Sequence, residues 1–292
     1  MSPGVVPPSA DLPDRYRVRV ATFQQTPSPR GHGRTYEDDL RLAHVIADQV
    51  DSMTMSRFRA VDLHVETKPD QTPVSDADRG AEEFIRAQLA RARTRDAIVG
   101  EEFGEEAGSG SRRWIIDPID GTKNFVRGVP VWATLIALAE GDEVVMGLVS
   151  APALGRRWWA AKGSGAWTGK SIAAATRMRV SGVSSLDDAS FAYSSLDGWE
   201  ERDKLNGFLD LTRECWRTRG YGDFWSYMLV AEGAADIAAE PELELYDMAA
   251  LVPIVVEAGG RFTSLDGSDG PWGGNALATN GLLHDKALVY LG

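Results

Sequence analysis

The sequence predicts an α/β fold of layered α+β type, and three features of its hydrophobic patterning carry that prediction. Apolar residues recur at helical spacing in two segments near the start. The middle third changes to short strand-like runs broken by turn residues, and the last third alternates strand and helix signals. At 292 residues the chain is long enough to bury a sizeable core without covalent staples.

Residues 1–34 hold six of the fourteen prolines (Pro3, Pro7, Pro8, Pro13, Pro27, Pro29) and show no sustained period, so they read as a disordered extension. From Thr35, with Asp38 three residues on, a capped amphipathic helix begins and runs through Leu40, Ala43, Ala47 and Val50. A second helix follows Asp78, with Ala81, Phe84, Ile85 and Leu89 at helical spacing. Strands are expected at 97–99, 114–116, 133–139, 144–149 and 156–161, separated by turns such as Gly141-Asp142 and Gly163-Ser164-Gly165. Beyond about residue 181 come a strand at 189–193, helices from Lys204 and Phe224, a strand at 236–239 and a helix over 247–258. The expected organisation is an extension at 1–34, an α+β half at 35–180 and an α/β half at 181–292.

Composition narrows the function. A net charge of −12 and a pI near 4.9 would repel a phosphate backbone, so no nucleic-acid partner is expected. The longest apolar runs fall short of the roughly 18 to 20 residues that span a bilayer, and the N-terminus lacks the layout of a signal peptide, so no membrane role is expected either. The single Cys215 cannot form an internal disulfide, which favours a cytoplasmic location and makes the thiol a packing residue.

The densest chemical signal is Trp114-Ile115-Ile116-Asp117-Pro118-Ile119-Asp120-Gly121-Thr122, where an apolar run ends in two carboxylates three apart. Hard cations take oxygen ligands, and carboxylates with a backbone carbonyl supply them. Gly121-Thr122 offers N–H groups to a phosphate if a helix starts there. A solvated turn capped by aspartates is the competing reading. Gly100-Glu101-Glu102 follows another short apolar strand, although paired glutamates are commonly plain surface. Lys68 to Asp78 form a constrained loop before the second helix, and Asp247 stands at the front of an apolar helix, where an N-cap is the common explanation.

Taken together and in this order, these segments resemble the inositol monophosphatase superfamily, and the similarity extends from about Thr35 to the end, including Gly163-Ser164-Gly165-Ala166 and Glu257-Ala258-Gly259-Gly260. Tyr246 departs from the tryptophan usual before the aspartate, a change of packing. The resemblance implies an αβαβα sandwich, a homodimer, and Mg²⁺-dependent hydrolysis of a small-molecule phosphate ester, with Mn²⁺ as a substitute. By position, Glu101, Asp117 and the Ile119 carbonyl would hold one ion, Asp117, Asp120 and Asp247 a second, and Glu101 with Glu102 a weaker third. Asp78 and Thr122 match the pair that orients the attacking water, with Glu101 beside them, and Gly121 and Thr122 would contact the phosphate. Two such ions can stabilise both the attacking and the leaving oxygen of an in-line displacement.

Other chemistries lack parts. Gly165 to Ser171 approaches a nucleotide phosphate loop, but the spacer before Gly-Lys-Ser is one residue short and the surroundings read as a hairpin. The four histidines, His32, His44, His64 and His284, are scattered, and no Gly-x-Ser-x-Gly elbow exists. The stretch Trp216 to Tyr227, followed by Ala239-Glu240-Pro241-Glu242-Leu243, looks like the actinobacterial-type histidinol-phosphate phosphatases. On that reading Asp223 and Glu240 recognise the cationic end of the substrate, with Asp223 as a helix N-cap the competing account. An inositol-1-monophosphatase, an adenosine 3',5'-bisphosphate phosphatase and a silent binding homologue are the alternatives.

Overall fold

The computed structural model describes residues 36–69 and 72–292. The expected extension at 1–34 and the expected cap Thr35 lie outside the described residues. In chain order the elements are α1 Glu37–Arg57, β1 Val65–Thr67, β2 Pro73–Ser75, α2 Asp76–Ala92, β3 Ala97–Gly100, β4 Gly104–Glu106, β5 Arg112–Asp120, α3 Thr122–Arg127, β6 Ala133–Glu140, β7 Glu143–Ala151, β8 Arg156–Ala161, β9 Ala166–Gly169 and β10 Ala175–Arg177. They continue with β11 Ser190–Tyr193, α4 Asp197–Glu201, α5 Leu205–Glu214, β12 Arg217–Gly220, α6 Asp223–Ala231, β13 Ile237–Glu240, α7 Leu245–Met248, α8 Leu251–Glu257, β14 Arg261–Thr263, β15 Ala276–Thr279 and α9 His284–Leu291.

Five layers follow from where each apolar face is buried. The eight-stranded sheet runs in the order β10-β9-β8-β7-β6-β5-β3-β4, antiparallel throughout except for the parallel pair β3 and β5. Because side chains alternate along a strand, Trp114 and Ile116 of β5 face one side and Ile115 the other. Trp114 and Ile116 pack against Ala43, Ile46, Ala47 and Val50 of α1 and Ala81, Ile85 and Leu89 of α2, which form the first layer. Ile115 joins Leu135, Val149 and Trp158 against α6 and α8, through Phe224, Met228, Leu251, Ile254 and Val255. Those two helices also cover one face of the five-stranded sheet, ordered β12-β11-β13-β15-β14, at Ala192, Ala238 and Ala278. The far face of that sheet buries Phe191, Ile237 and Leu277 against Trp199, Phe208, Leu211, Ala287 and Leu291 of α4, α5 and α9. The arrangement is the expected αβαβα sandwich.

Several elements differ from the sequence expectation. Helix α2 starts at Asp76 rather than after Asp78, because Ser75 is its N-cap: Ala77 N–H donates to Ser75 Oγ, and Asp78 reaches back to the Ser75 N–H at 2.9 Å. The helix expected over 247–258 is two helices, since Pro253 has no N–H to give the Ala249 carbonyl and the ladder breaks between α7 and α8. Strands β1, β2, β4, β10, β12, β14 and β15 were not foreseen, being only three or four residues long and lacking clear alternation. The hairpin reading of 165–171 holds, since 166–169 is strand β9. Trp158 and Trp159 are core residues on opposite faces of β8.

Candidate active site

Strand β5 brings Asp117 and Asp120 together by an irregularity. Residues three apart on a regular strand point to opposite faces. Here Asp117 pairs with Leu135 and Asp120 with Ala133, three steps on β5 against two on β6, so one residue is extra. This bulge at Pro118-Ile119 restores both carboxylates to one side, and it tolerates a proline that cannot donate to the ladder. Thr134 Oγ1 donates to the buried Pro118 carbonyl at 2.8 Å. Gly121 follows with φ +84°, a left-handed backbone that only glycine adopts at little cost, and turns the chain into α3. Helix α3 begins at Thr122 with no side-chain cap, leaving its first amides for a ligand.

Asp247 arrives from the other half of the chain on α7. It is the third helical residue rather than the expected N-cap, and its Oδ2 accepts from the Glu244 N–H at 2.8 Å. Asp117, Asp120 and Asp247 each place one carboxylate oxygen so that the three lie within 4.8 Å of one another. Asp117 and Asp120 are held well above the usual carboxylate range, foremost by burial, then by Glu101 at Asp117 and by Asp223 at Asp120. Burial pushes Asp247 up to about 7. Three largely desolvated acids at such separations cannot all ionise without nearby positive charge. The donors are all carboxylate or carbonyl oxygen, with neither thiolate nor imidazole among them, which fits a hard divalent ion.

The remaining expected residues surround this cluster. Glu101 neighbours Asp117, and Lys68 Nζ lies 2.7 Å from Glu101 Oε1 and 2.6 Å from Glu102 Oε1. An ammonium thus stands between the two glutamates where the resemblance implies a weaker ion, a difference the sequence did not foretell. Glu82, fully buried, accepts from the Glu102 and Phe103 amides and so fixes the turn that carries Glu101. Gly100 is required there, because a Cβ would sit 2.2 Å from Glu82 Oε1. Asp78 is buried and raised by that burial; its Oδ1 lies 3.1 Å from Thr122 Oγ1, whose hydroxyl is also 2.9 Å from the Ile119 carbonyl.

Asp223 opens α6 and is not its cap. Gly222 precedes the helix, and Asp223 itself takes φ +48° with its N–H donating to Ser194 Oγ at 2.9 Å. Asn124 Nδ2 donates to Asp223 Oδ2 at 2.8 Å, and the next amide, Phe224 N–H, donates to Asp120 Oδ2 at 2.9 Å. Burial lifts Asp223 to about 6 and Glu240, at the end of β13, to about 8. Lys68, Glu82, Asn124 and Ser194 were missed by sequence reasoning. Each acts through a contact 20 or more residues away in the chain, and none carries a local signal.

A protein-family model described as the inositol monophosphatase family matches residues 36–290, and the chain belongs to that family. Within it, the chain is 68% identical over 260 residues to the histidinol-phosphatase of Streptomyces coelicolor, a match covering 88% of this chain and 97% of that relative. Identity to the histidinol-phosphatase of Mycobacterium tuberculosis is 57% over 254 residues, covering 87% and 98%. An inositol monophosphatase from Zymomonas mobilis has the same fold, with a TM-score of 0.77 at 34% identity over 89% of this chain and 99% of its own.

Proposed function

We propose that the protein is a phosphomonoesterase that hydrolyses L-histidinol phosphate to L-histidinol and inorganic phosphate, as a step of histidine biosynthesis, with Mg²⁺ as its cofactor and Mn²⁺ as a substitute. The observation that carries this reading is the triad Asp117, Asp120 and Asp247, with Asp117 buried, lying next to a second set of acids, Asp223 and Glu240. The similarity to the two histidinol-phosphatases supports the choice of substrate.

In this reading Glu101, Asp117, the Ile119 carbonyl, Asp120 and Asp247 would hold the metal, which when bound would supply positive charge against the oxygens of an in-line displacement at phosphorus. Thr122 accepts a hydrogen bond from the attacking water while its own hydroxyl is directed to Asp78, so that this pair orients the water and draws off its proton. The water oxygen bonds to phosphorus as the ester P–O bond breaks, and the departing alkoxide takes a proton from a solvent water to become the alcohol. The amides of Gly121 and Thr122 at the start of α3 receive the phosphate. Asp223 and Glu240 face the ammonium and imidazole that distinguish this substrate from a polyol phosphate.

The deciding measurement is kcat/KM for L-histidinol phosphate, inositol 1-phosphate and adenosine 3',5'-bisphosphate, each with Mg²⁺ and with EDTA. Preference for either of the last two overturns the substrate; full activity in EDTA overturns the metal; no activity on any ester points to a silent homologue. We further place the protein in the cytoplasm as a homodimer, in keeping with its free thiol Cys215 and the family resemblance. Light scattering on the purified chain tests the dimer.

A further inference from the structure

Asp78, Glu82 and Arg86 follow one another on successive turns of α2, so they form one row along the helix. Asp78 belongs to the site already described. Glu82 is 0% exposed, and a carboxylate is costly to bury unless its oxygens are satisfied. They are: Oε2 accepts the Glu102 N–H at 2.7 Å, and Oε1 accepts the Phe103 N–H at 3.1 Å and Arg86 Nε–H at 2.7 Å. Arg86 then reaches the other arm of the β3–β4 hairpin, where its Nη2 donates to the Gly104 carbonyl. Gly100 admits the pair, since a Cβ there would stand 2.2 Å from Glu82 Oε1 and 2.9 Å from Arg86 Nη2.

Little apolar packing holds this hairpin to the body. Every residue of β4 is exposed, and Phe103 in the turn is 46% exposed. Lys68 pairs with the side chains of Glu101 and Glu102, which leaves the backbone of the turn to Glu82 and Arg86. Two consecutive amides bound to one carboxylate fix the peptide planes on either side of Glu102, and with them the direction in which Glu101 leaves the chain. We propose that Glu82 and Arg86 are positioning residues for metal binding, which aim Glu101 at Asp117 through the backbone of the β3–β4 turn. One helix then serves both parts of the reaction centre, with Asp78 directed to Thr122 and Glu82 to the turn that carries the ligand. Loss of a group that orients a ligand is felt as lost metal affinity, roughly ten- to a hundredfold. This inference rests on the proposed role of Glu101 as a metal ligand and adds the residues that aim it.

The test is Glu82→Gln, which keeps the shape but replaces one acceptor oxygen by a donor, so that a contact to an amide or to Arg86 is lost. Mg²⁺ binding to the full chain is measured by calorimetry after dialysis against EDTA, together with the Mg²⁺ dependence of the rate on L-histidinol phosphate. The expected result is a Kd for Mg²⁺ and a Mg²⁺ concentration for half-maximal rate both raised about tenfold, with kcat at saturating Mg²⁺ within about threefold. Glu257→Gln is the control for a merely structural role. Its carboxylate accepts the Gly163 and Gly165 amides, each at 2.7 Å, at a turn that carries no proposed ligand. That variant is expected to keep the wild-type Kd even where its Tm falls. An unchanged Kd in Glu82→Gln, or an equal rise in Glu257→Gln, overturns the proposal. Should Glu82→Gln unfold, Arg86→Lys is read the same way, since it leaves Glu82 a cation but gives up the Gly104 carbonyl. A wild type that binds no Mg²⁺ defeats the metal reading itself. A wild type that binds it, with the α2 variant keeping its Kd, defeats only the positioning role.

Discussion

Asp117 is the residue on which most contacts of the site converge. It is 1% exposed, its Oδ1 accepts the Ile119 N–H at 2.9 Å, and Glu101, Asp120 and Asp247 all bear on its carboxyl. Replacing it by Asn keeps the shape and this hydrogen bond but removes the charge that a divalent ion needs. Asp117→Asn is therefore expected to lower kcat by at least a hundredfold, about 2.7 kcal/mol or more in the transition state, and to weaken Mg²⁺ binding measured by calorimetry. A near-normal rate would exclude Asp117 as a ligand. Cys215 gives the opposite expectation. Burial pushes its thiol up to about 12, so it is protonated at neutral pH and a poor nucleophile. Cys215→Ser is expected to leave kcat/KM within about twofold, and iodoacetamide should not inactivate the enzyme on the timescale of an assay.

Two helix starts share one device for aiming an acid. In α2 and in α7 the third helical residue, Asp78 or Asp247, spends one carboxylate oxygen on the N–H of the residue before the helix and keeps the other for the site. Local hydrogen bonding at a helix start thus sets the direction of side chains that act at a distance. The position of α7 depends on β7: a Cβ at Gly147 would come within 2.1 Å of the Ala250 carbonyl, backbone that cannot yield without moving the helix ends. Gly147→Ala is expected to cost about 1 to 3 kcal/mol of stability and to lower kcat by displacing Asp247. A mutant with wild-type melting temperature and rate would show that the α7–α8 junction has slack.

The sandwich as a whole carries two opposed electrostatic strains. Its site gathers acids that repel, and a divalent cation binding only to the folded state would relieve them. At a hundredfold excess over Kd, an ion of this kind stabilises by about 2.7 kcal/mol. For a chain of this size that corresponds to a rise in Tm of roughly 4 to 5 °C, which a thermal melt with Mg²⁺ and with EDTA would read. Two buried histidines act in the other direction. His284 bridges Thr263 and Thr279 across β14 and β15, His44 accepts from Arg157, and burial lowers both from 6.5 to about 4. The folded state resists protonating them while the unfolded chain takes up protons below 6.5. Stability from these groups is complete above that value and is lost as pH falls towards 4. With the carboxylate site filled by Mg²⁺, Tm is expected to drop between about pH 7 and about pH 5, and His284→Gln should flatten that slope. An identical slope in the variant would assign the acid sensitivity elsewhere.

Periodicity and turn residues were enough to read the helices α1 and α2 and the central strands, because each is encoded within a few neighbouring residues, and the order of the acidic motifs along the chain carried the family resemblance that implied the acid cluster. The spacing of Asp117 and Asp120 was visible, but on a regular strand it argues against a shared face; the bulge that reverses this exists only in the pairing of β5 with β6. Likewise the sequence shows Lys68, Glu82, Asn124 and Ser194 as ordinary members of a loop, helices and a strand end. Their roles arise from approaches between residues far apart in the chain: Lys68 to Glu101, Asn124 to Asp223, Ser194 to the start of α6. Local pattern reports which face of an element is apolar and where it turns. Which polar groups meet, and which are left unpaired in the interior, is settled only when two sheets and three helix layers close on one another and exclude water.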